Sequence, residues 1–323
     1  MKRYSNFIAT LGPLFGLFGI YILFVIIGPE SFSSLHNVET ILRQTAIVGT
    51  AALGMTLVII AGGIDLSVGS IIALVAVVIA ALLQSGCSPA LAALGGIGVG
   101  VICGLVNGML ITRLRVVPFI VTLGTMLVVR GTAKGIAHEQ KIDAPLTWLN
   151  TLLAALAPGE GWKFVPPGVW ITVILAVLVT VMLKYTKLGK HIFAIGSNEQ
   201  TAVLCGVAVN RVKIFVYTMS AGFAGVAGLM QFSRLTVGDP TVAVGLELDV
   251  IAAVVIGGGS LSGGEGSILG TIVGALIMTT IRSGGSQMGL PNWVQEIITG
   301  IIIVVAVAVD RLRHRMAASR MDR

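Results

Sequence analysis

Gly62-Gly63-Ile64-Asp65-Leu66-Ser67-Val68-Gly69-Ser70-Ile71 stands between two apolar runs, residues 42–61 and 68–84. Each run is as long as the roughly 17–25 residues that carry a helix across a bilayer. A glycine pair stops a helix, and Asp or Ser restarts one by capping free N–H groups. The stretch therefore reads as helix, break, helix in a membrane. Working outward, further apolar windows lie near 8–27, 89–112, 117–137, 167–184, 212–231, 249–260, 267–282 and 292–310. The pattern predicts an all-α polytopic membrane protein with about ten transmembrane helices, some broken by Gly-rich segments. The windows at 249–260 and 267–282 are short and have glycine-rich sequence between them.

Composition agrees. Of 323 residues, 55% are apolar and 11% charged, and the mean hydropathy is +0.98. A soluble domain carries about 25% charged residues, and so little charge cannot cover a soluble surface. Disordered, collagen-like, disulfide-scaffold and ordinary cytosolic classes are excluded together. The net charge of +7 comes from cations in loops between apolar runs. It reads as topogenic charge, with no nucleic acid partner. Cys87, Cys103 and Cys205 lack C-x-x-C spacing and read as small apolar fillers. His36, His138, His191 and His314 lie in separate polar segments. With no H-E-x-x-H or G-x-x-x-x-G-K-[ST] motif, the chain is read as holding no metal and no nucleotide or other cofactor.

Charge sets the orientation. With the N-terminus in the cytoplasm, the inner loops and termini hold most of the 21 Lys and Arg. They include Lys2, Arg3, Arg113, Arg115, Lys184, Lys187, Lys190, Arg211 and Lys213, so both termini are expected inside. One transmembrane domain then covers 1–323, with an extracytoplasmic loop at 138–166, a cytoplasmic loop at 185–211 and a basic cytoplasmic tail at 311–323. The run Ile8–Ile27 reads as a retained first helix and not a signal peptide. Trp148, Leu149, Leu152, Leu153 and Leu156 recur at helical spacing and predict a short helix along the outer interface. Trp162 and Trp170 are expected at headgroup depth. Arg130 is expected to snorkel or to make a structural bond, in preference to facing a pathway.

Glycine has two uses. Gly96, Gly100, Gly104 and Gly108 share one helix face, and Gly270 with Gly274, Ala221 with Gly225, and Ala224 with Gly228 repeat the small-xxx-small spacing of packed membrane helices. The second use is the break. Gly257-Gly258-Gly259-Ser260-Leu261-Ser262-Gly263-Gly264-Glu265-Gly266-Ser267-Ile268 echoes the opening stretch with a two-residue insertion. The break and gating candidates are Gly62, Gly63, Asp65, Ser67, Gly257, Gly258, Gly259, Ser262 and Glu265. Asp65 and Glu265 are the acids this topology puts nearest the interior of the spans. At the surface they are solvated turn residues, the favoured reading; at depth they mark a gate.

The cytoplasmic loop contains an S-x-x-Q capping box, Ser197 with Gln200. Glu199 suits the first helical turn, and Gly206 can end the helix. A capped helix of about two turns facing the cytoplasm has the form of a docking element.

Four ordered stretches resemble one family. Gly54-Met55-Thr56-Leu57-Val58-Ile59 leading into Gly62–Ser70 resembles the signature of ribose-type monosaccharide permeases, the membrane subunits of bacterial ATP-binding-cassette (ABC) importers. Pro118–Gly124 with Arg130-Gly131, the loop from Gly189 to Gly206, and Glu247–Gly258 look like the same family. The resemblance covers about residues 40–310. It implies a permease of the bacterial inner membrane that moves a pentose or hexose and is not itself an enzyme. The implied partners are a cytoplasmic ABC ATPase subunit, an extracytoplasmic sugar-binding protein, and a second copy or a related permease, all within membrane lipid. It also implies that Ser197, Asn198, Glu199, Gln200, Thr201, Ala202 and Gly206 meet the ATPase. Thr56, Asn107, Thr122 and Thr125 are the pathway candidates, being polar but uncharged. Nucleoside or branched-chain amino acid permeases are the alternatives within the superfamily. An ion-coupled secondary transporter and a membrane enzyme lie outside it.

Overall fold

The computed structural model describes residues 2–156 and 165–321. Twelve helices follow in order among these residues. They are α1 (Lys2–Ile27), α2 (Leu35–Ile60), α3 (Val68–Gln84), α4 (Pro89–Leu114), α5 (Pro118–Ile136), α6 (Pro167–Tyr185), α7 (Lys187–Ser197), α8 (Glu199–Leu204), α9 (Val209–Leu235), α10 (Leu246–Ile256), α11 (Ile268–Gln287) and α12 (Asn292–Met321). Every apolar window lands on a helix. Proline opens α4, α5 and α6, where its missing N–H costs nothing. Seven helices are long and apolar enough to cross a membrane, and Gly12–Ile27 and Val68–Gln84 are shorter apolar helices. Helix α10 has 11 residues, about 16 Å, roughly half of a bilayer core.

Helices α2, α3, α9, α10 and α11 form the interior, and α2 is buried almost throughout. Large apolar side chains of α1, α4, α5, α6 and α12 point outward, as lipid-facing helices require. The glycine stripes pack these layers. A Cβ at Gly100, Gly104 or Gly108 would strike the backbone of α9, and one at Gly274 would strike the Ala253 carbonyl of α10. Buried hydroxyls join helices that hydrophobicity cannot hold together in lipid. Thr45 meets Thr279 at 2.6 Å, Thr50 meets Thr172 at 2.8 Å and Thr56 meets Thr271 at 2.8 Å. Such bonds average about 0.6 kcal/mol each.

The outer loop differs from its expectation. Residues Trp148–Leu152 form a 3-10 helix, closed by a capping box of Thr147 and Asn150, and no amphipathic α-helix lies there. Leu149 and Leu153 are buried in the core. The Leu153 N–H donates to Ser233 Oγ at 2.8 Å, and Arg43 Nε donates to the Leu153 carbonyl at 2.7 Å. Burial of these leucines and pinning by α2 and α9 override the interfacial pattern. A two-residue strand β1 (Ile142–Asp143) pairs with β2 (Val237–Gly238). Trp170 is exposed at the start of α6; Trp162 lies outside the described residues.

Two segments between helices run inside the bundle. Gly63 meets the Tyr217 side chain, and Gly228 meets the Ile72 carbonyl. The chain from Gly63 into the first turns of α3 thus runs beside α9. Gly62 is exposed, Gly63 and Ile64 are half-buried, and Asp65, Leu66 and Ser67 are buried in protein, the setting in which broken backbone is stable away from water. After α9 the chain turns back along α3. Gly238 lies against Val77 and Ala80, and Gly69 lies against Ala243 and Glu247. Helix α10 thus begins beside the first turn of α3.

Candidate functional site

The loop at 185–211 folds as two helices. Asn198 caps α8, its side chain accepting from the Thr201 N–H at 2.8 Å. This corrects the Ser197–Gln200 capping box, because Ser197 is the last residue of α7. Gly206 ends α8 with φ +78°, its N–H bonding to Val203 and the next N–H, of Val207, to Ala202. This is a Schellman turn, which needs a residue free to be left-handed. Glu199 pairs with Lys213 of α9 at 2.7 Å, so α8 is tied to the helix it precedes. Ala202 is buried, whereas Ser197, Asn198, Glu199, Gln200, Thr201 and Gly206 are exposed. Leu204, which the sequence reading passed over, is 87% exposed beside the exposed Val203. Two apolar side chains left bare on a capped helix are the form of a docking knob.

Both breaks open with the same turn. The Gly62 and Gly63 N–H groups bond to Ile59 and Val58, and those of Gly258 and Gly259 bond to Val255 and Val254. They then differ. In the first break Asp65 is fully buried, its Oδ1 accepting from the Ser67 N–H at 2.9 Å and hydroxyl at 2.5 Å. Asn107 Nδ2 donates to Ser67 Oγ at 3.0 Å, and Thr122 Oγ1 to the Ile64 carbonyl at 3.2 Å. The solvated-turn reading of Asp65 is thereby corrected, since the segment is enclosed by α4, α5 and α9. In the second break Ser262 and Glu265 are exposed, and Ser267 caps α11 through the Gly270 N–H.

The breaks meet at a glycine that the sequence reading missed. A Cβ at Gly196, near the end of α7, would strike the Ile60 carbonyl and the Gly264 N–H. The Gly264 N–H donates to the Ile60 carbonyl at 2.9 Å. A Cβ at Gly263 would lie 3.0 Å from Gly62 Cα and 2.7 Å from the Gly196 carbonyl. The end of α2, the end of α7 and the turn before α11 therefore touch backbone to backbone.

The pathway candidates make separate contacts. Asn107 and Thr122 support the first break. Thr56 joins α2 to α11. Thr125 bonds back to Val121 and Thr122 in its own helix. A polar cavity lies toward the end opposite α7 and α8. It measures about 270 Å³ and is lined by Gln44, Ile47, Val48, Gln231, Arg234, Leu246, Asp249, Thr279, Arg282, Ser286, Asn292 and Gln295. Asp249 is 2% exposed and pairs with Arg282 at 2.7 Å. It is a more interior acid than Glu265, and its signal was an acid within the apolar run of residues 248–256.

Arg130 makes the structural bond, donating to the carbonyls of Pro240 and Val242 at 2.9 and 2.7 Å. It holds the returning segment against α5, beside a cavity of about 260 Å³ that includes Ser70, Lys134 and Glu247. On that segment, burial works against the charge of Asp239. The Thr241 hydroxyl and N–H and Lys141 outweigh it, keeping the carboxyl below its ordinary range. Two apolar crevices of about 520 and 370 Å³ run along α1.

The family described as "Branched-chain amino acid transport system / permease component" matches residues 37–307. The ribose import permease protein of Bacillus subtilis is 41% identical over 310 residues, 96% of this chain and 95% of the relative. The fructose import permease protein of Rhizobium meliloti is 37% identical, covering 95% and 86%. The L-arabinose ABC transporter permease protein of Azospirillum brasilense is 36% identical, covering 88% and 82%. No solved structure matches the chain significantly.

Proposed function

The chain belongs to the family of branched-chain amino acid transport system permease components, and from that membership we propose how its corner drives transport. It is a multi-pass inner-membrane permease subunit of an ABC importer. Its relatives are named for ribose, L-arabinose and fructose, and its cargo is a monosaccharide, a pentose or hexose. ATP hydrolysis lies in a separate ATPase subunit, and a substrate-binding protein delivers the cargo. We assign the chain no cofactor, ten membrane crossings, cytoplasmic termini and a second permease copy as its neighbour. Membrane lipid fills the apolar crevices along α1.

In this reading α8 docks on the ATPase through Glu199, Gln200 and Thr201, with Leu204 as its apolar anchor. ATP binding draws two such helices together. Helix α7 carries the movement to Gly196, and Gly196 passes it to Gly62 on one side and to Gly263 and Gly264 on the other. Helices α3 and α10 begin and end at these breaks, so the two elements that shape the interior shift together.

The observation that carries this is the backbone contact of Gly196 with Ile60 and Gly264. Gly196→Val is expected to lower uptake and binding-protein-stimulated ATP hydrolysis at least about tenfold, with the ATPase subunit still bound. Unchanged uptake and hydrolysis in proteoliposomes would break the proposal.

A further inference from the structure

The chamber between α2, α9, α10, α11 and α12 gathers several kinds of polar group. Among the described residues most buried polar side chains are Ser or Thr hydroxyls. Here amides, guanidinium groups and a carboxylate face one space, and several are left open. Asp249 Oδ1, Arg234 Nε and Arg282 Nε are buried and lack a hydrogen-bond partner among the described residues. Gln231 is 5% exposed and turns into the same space, as does Gln295 from the start of α12. Buried polar groups left open are costly unless something fills the site.

We infer that this chamber is a monosaccharide subsite within the permease itself. The inference rests on the import reading above and names a site for its cargo. Acceptors and donors stand side by side in the wall: the ion pair of Asp249 and Arg282, the Arg234 guanidinium, and the glutamine amides, which both donate and accept. A neutral polyhydroxylated molecule satisfies all of these at once. An anion would meet the Asp249 carboxylate, and a cation would meet Arg234. At about 270 Å³ the space holds roughly nine waters at ~30 Å³ each, close to the bulk of a pentose. None of the lining residues is aromatic, so stacking adds nothing and the sugar binds weakly, as a station on a path must. The chamber lies beside the start of α10, and α10 ends at the second break. Movement at the glycine corner therefore reshapes the wall that carries Asp249.

The test uses the assembled importer in proteoliposomes and the full-length permease in lipid nanodiscs. In nanodiscs, without binding protein, D-ribose, L-arabinose and D-fructose at millimolar concentration are expected to give saturation-transfer NMR signals. Gln231→Ala is expected to lower that signal at least fivefold. In proteoliposomes Gln231→Ala and Gln295→Ala are expected to cut the maximal uptake rate about tenfold at saturating binding protein, with the ATPase subunit still bound. Gln295 lies at the half-buried mouth, so its variant keeps the test sound if Gln231→Ala misfolds. Wild-type uptake of sugar with no NMR signal and with both variants normal would overturn the subsite and leave the import reading standing. Failure of the wild type to take up any of the three sugars would remove both. Equal signals from D-gluconate would overturn the choice of a neutral ligand.

Discussion

Ser67 and Ser262 occupy the same place in two echoing stretches, each after a leucine and a glycine-closed helix end, yet their surroundings are opposite. Ser67 is enclosed, donating to Asp65 and accepting from Asn107. Ser262 stands exposed in a turn before α11. The difference follows from what comes next. The first stretch runs inside the bundle beside α9, where the Asp65 Oδ1 and Ser67 polar groups find partners in the protein. The second folds back on Gly196 and Ile60, and its tip keeps contact with water. One sequence pattern thus makes an internal strut in one place and a surface hinge in the other.

Substitutions at five positions sharpen or break this contrast, each read as the unfolding free energy of the purified permease in detergent. Asp65→Ala takes the acceptor from both the N–H and the hydroxyl of Ser67, so a loss of about 3 kcal/mol is expected; Asp65→Asn keeps the acceptor and should lose less than half of that. Gly63→Ala forces a methyl into the Tyr217 side chain, an overpacking worth about 2 kcal/mol. Adding Tyr217→Phe, which removes a buried hydroxyl with no partner, should recover part of it. Ser67→Ala leaves Asn107 Nδ2 unpaired and should lose about 1–2 kcal/mol. Ser262→Ala should stay within about 0.5 kcal/mol. Equal losses at Ser67 and Ser262 would show that the two breaks share one environment and would undo the comparison.

Much of the fold was legible because membrane helices announce themselves by length. Each apolar window became a helix, and the stripe at Gly100, Gly104 and Gly108 packs on α9 as its spacing requires. Local signals were read well where a single element settles them, as with Gly206 at the end of α8. They misled where two elements compete for the same residues. Ser197 has the right spacing to cap α8, but α7 runs through it and hands the cap to Asn198. The leucines of the outer loop have interfacial spacing, yet Leu149 and Leu153 find a buried place against α9. Gly196 carried no periodic signal, since a close approach to Ile60 and Gly264 depends on residues far away in sequence.

By itself, the amino-acid order determined that this is a helical membrane protein, where its helices break, and which loop bears a short capped helix. Hydropathy and glycine placement are local properties, and the bilayer acts on them locally. Only the tertiary structure decided that Asp65 is buried and Glu265 exposed, that three backbone segments meet at Gly196, and that Gln231, Asp249, Arg282 and Gln295 share one chamber. Those facts depend on how high each helix sits against its neighbours, and that height is set by packing between residues remote in the chain.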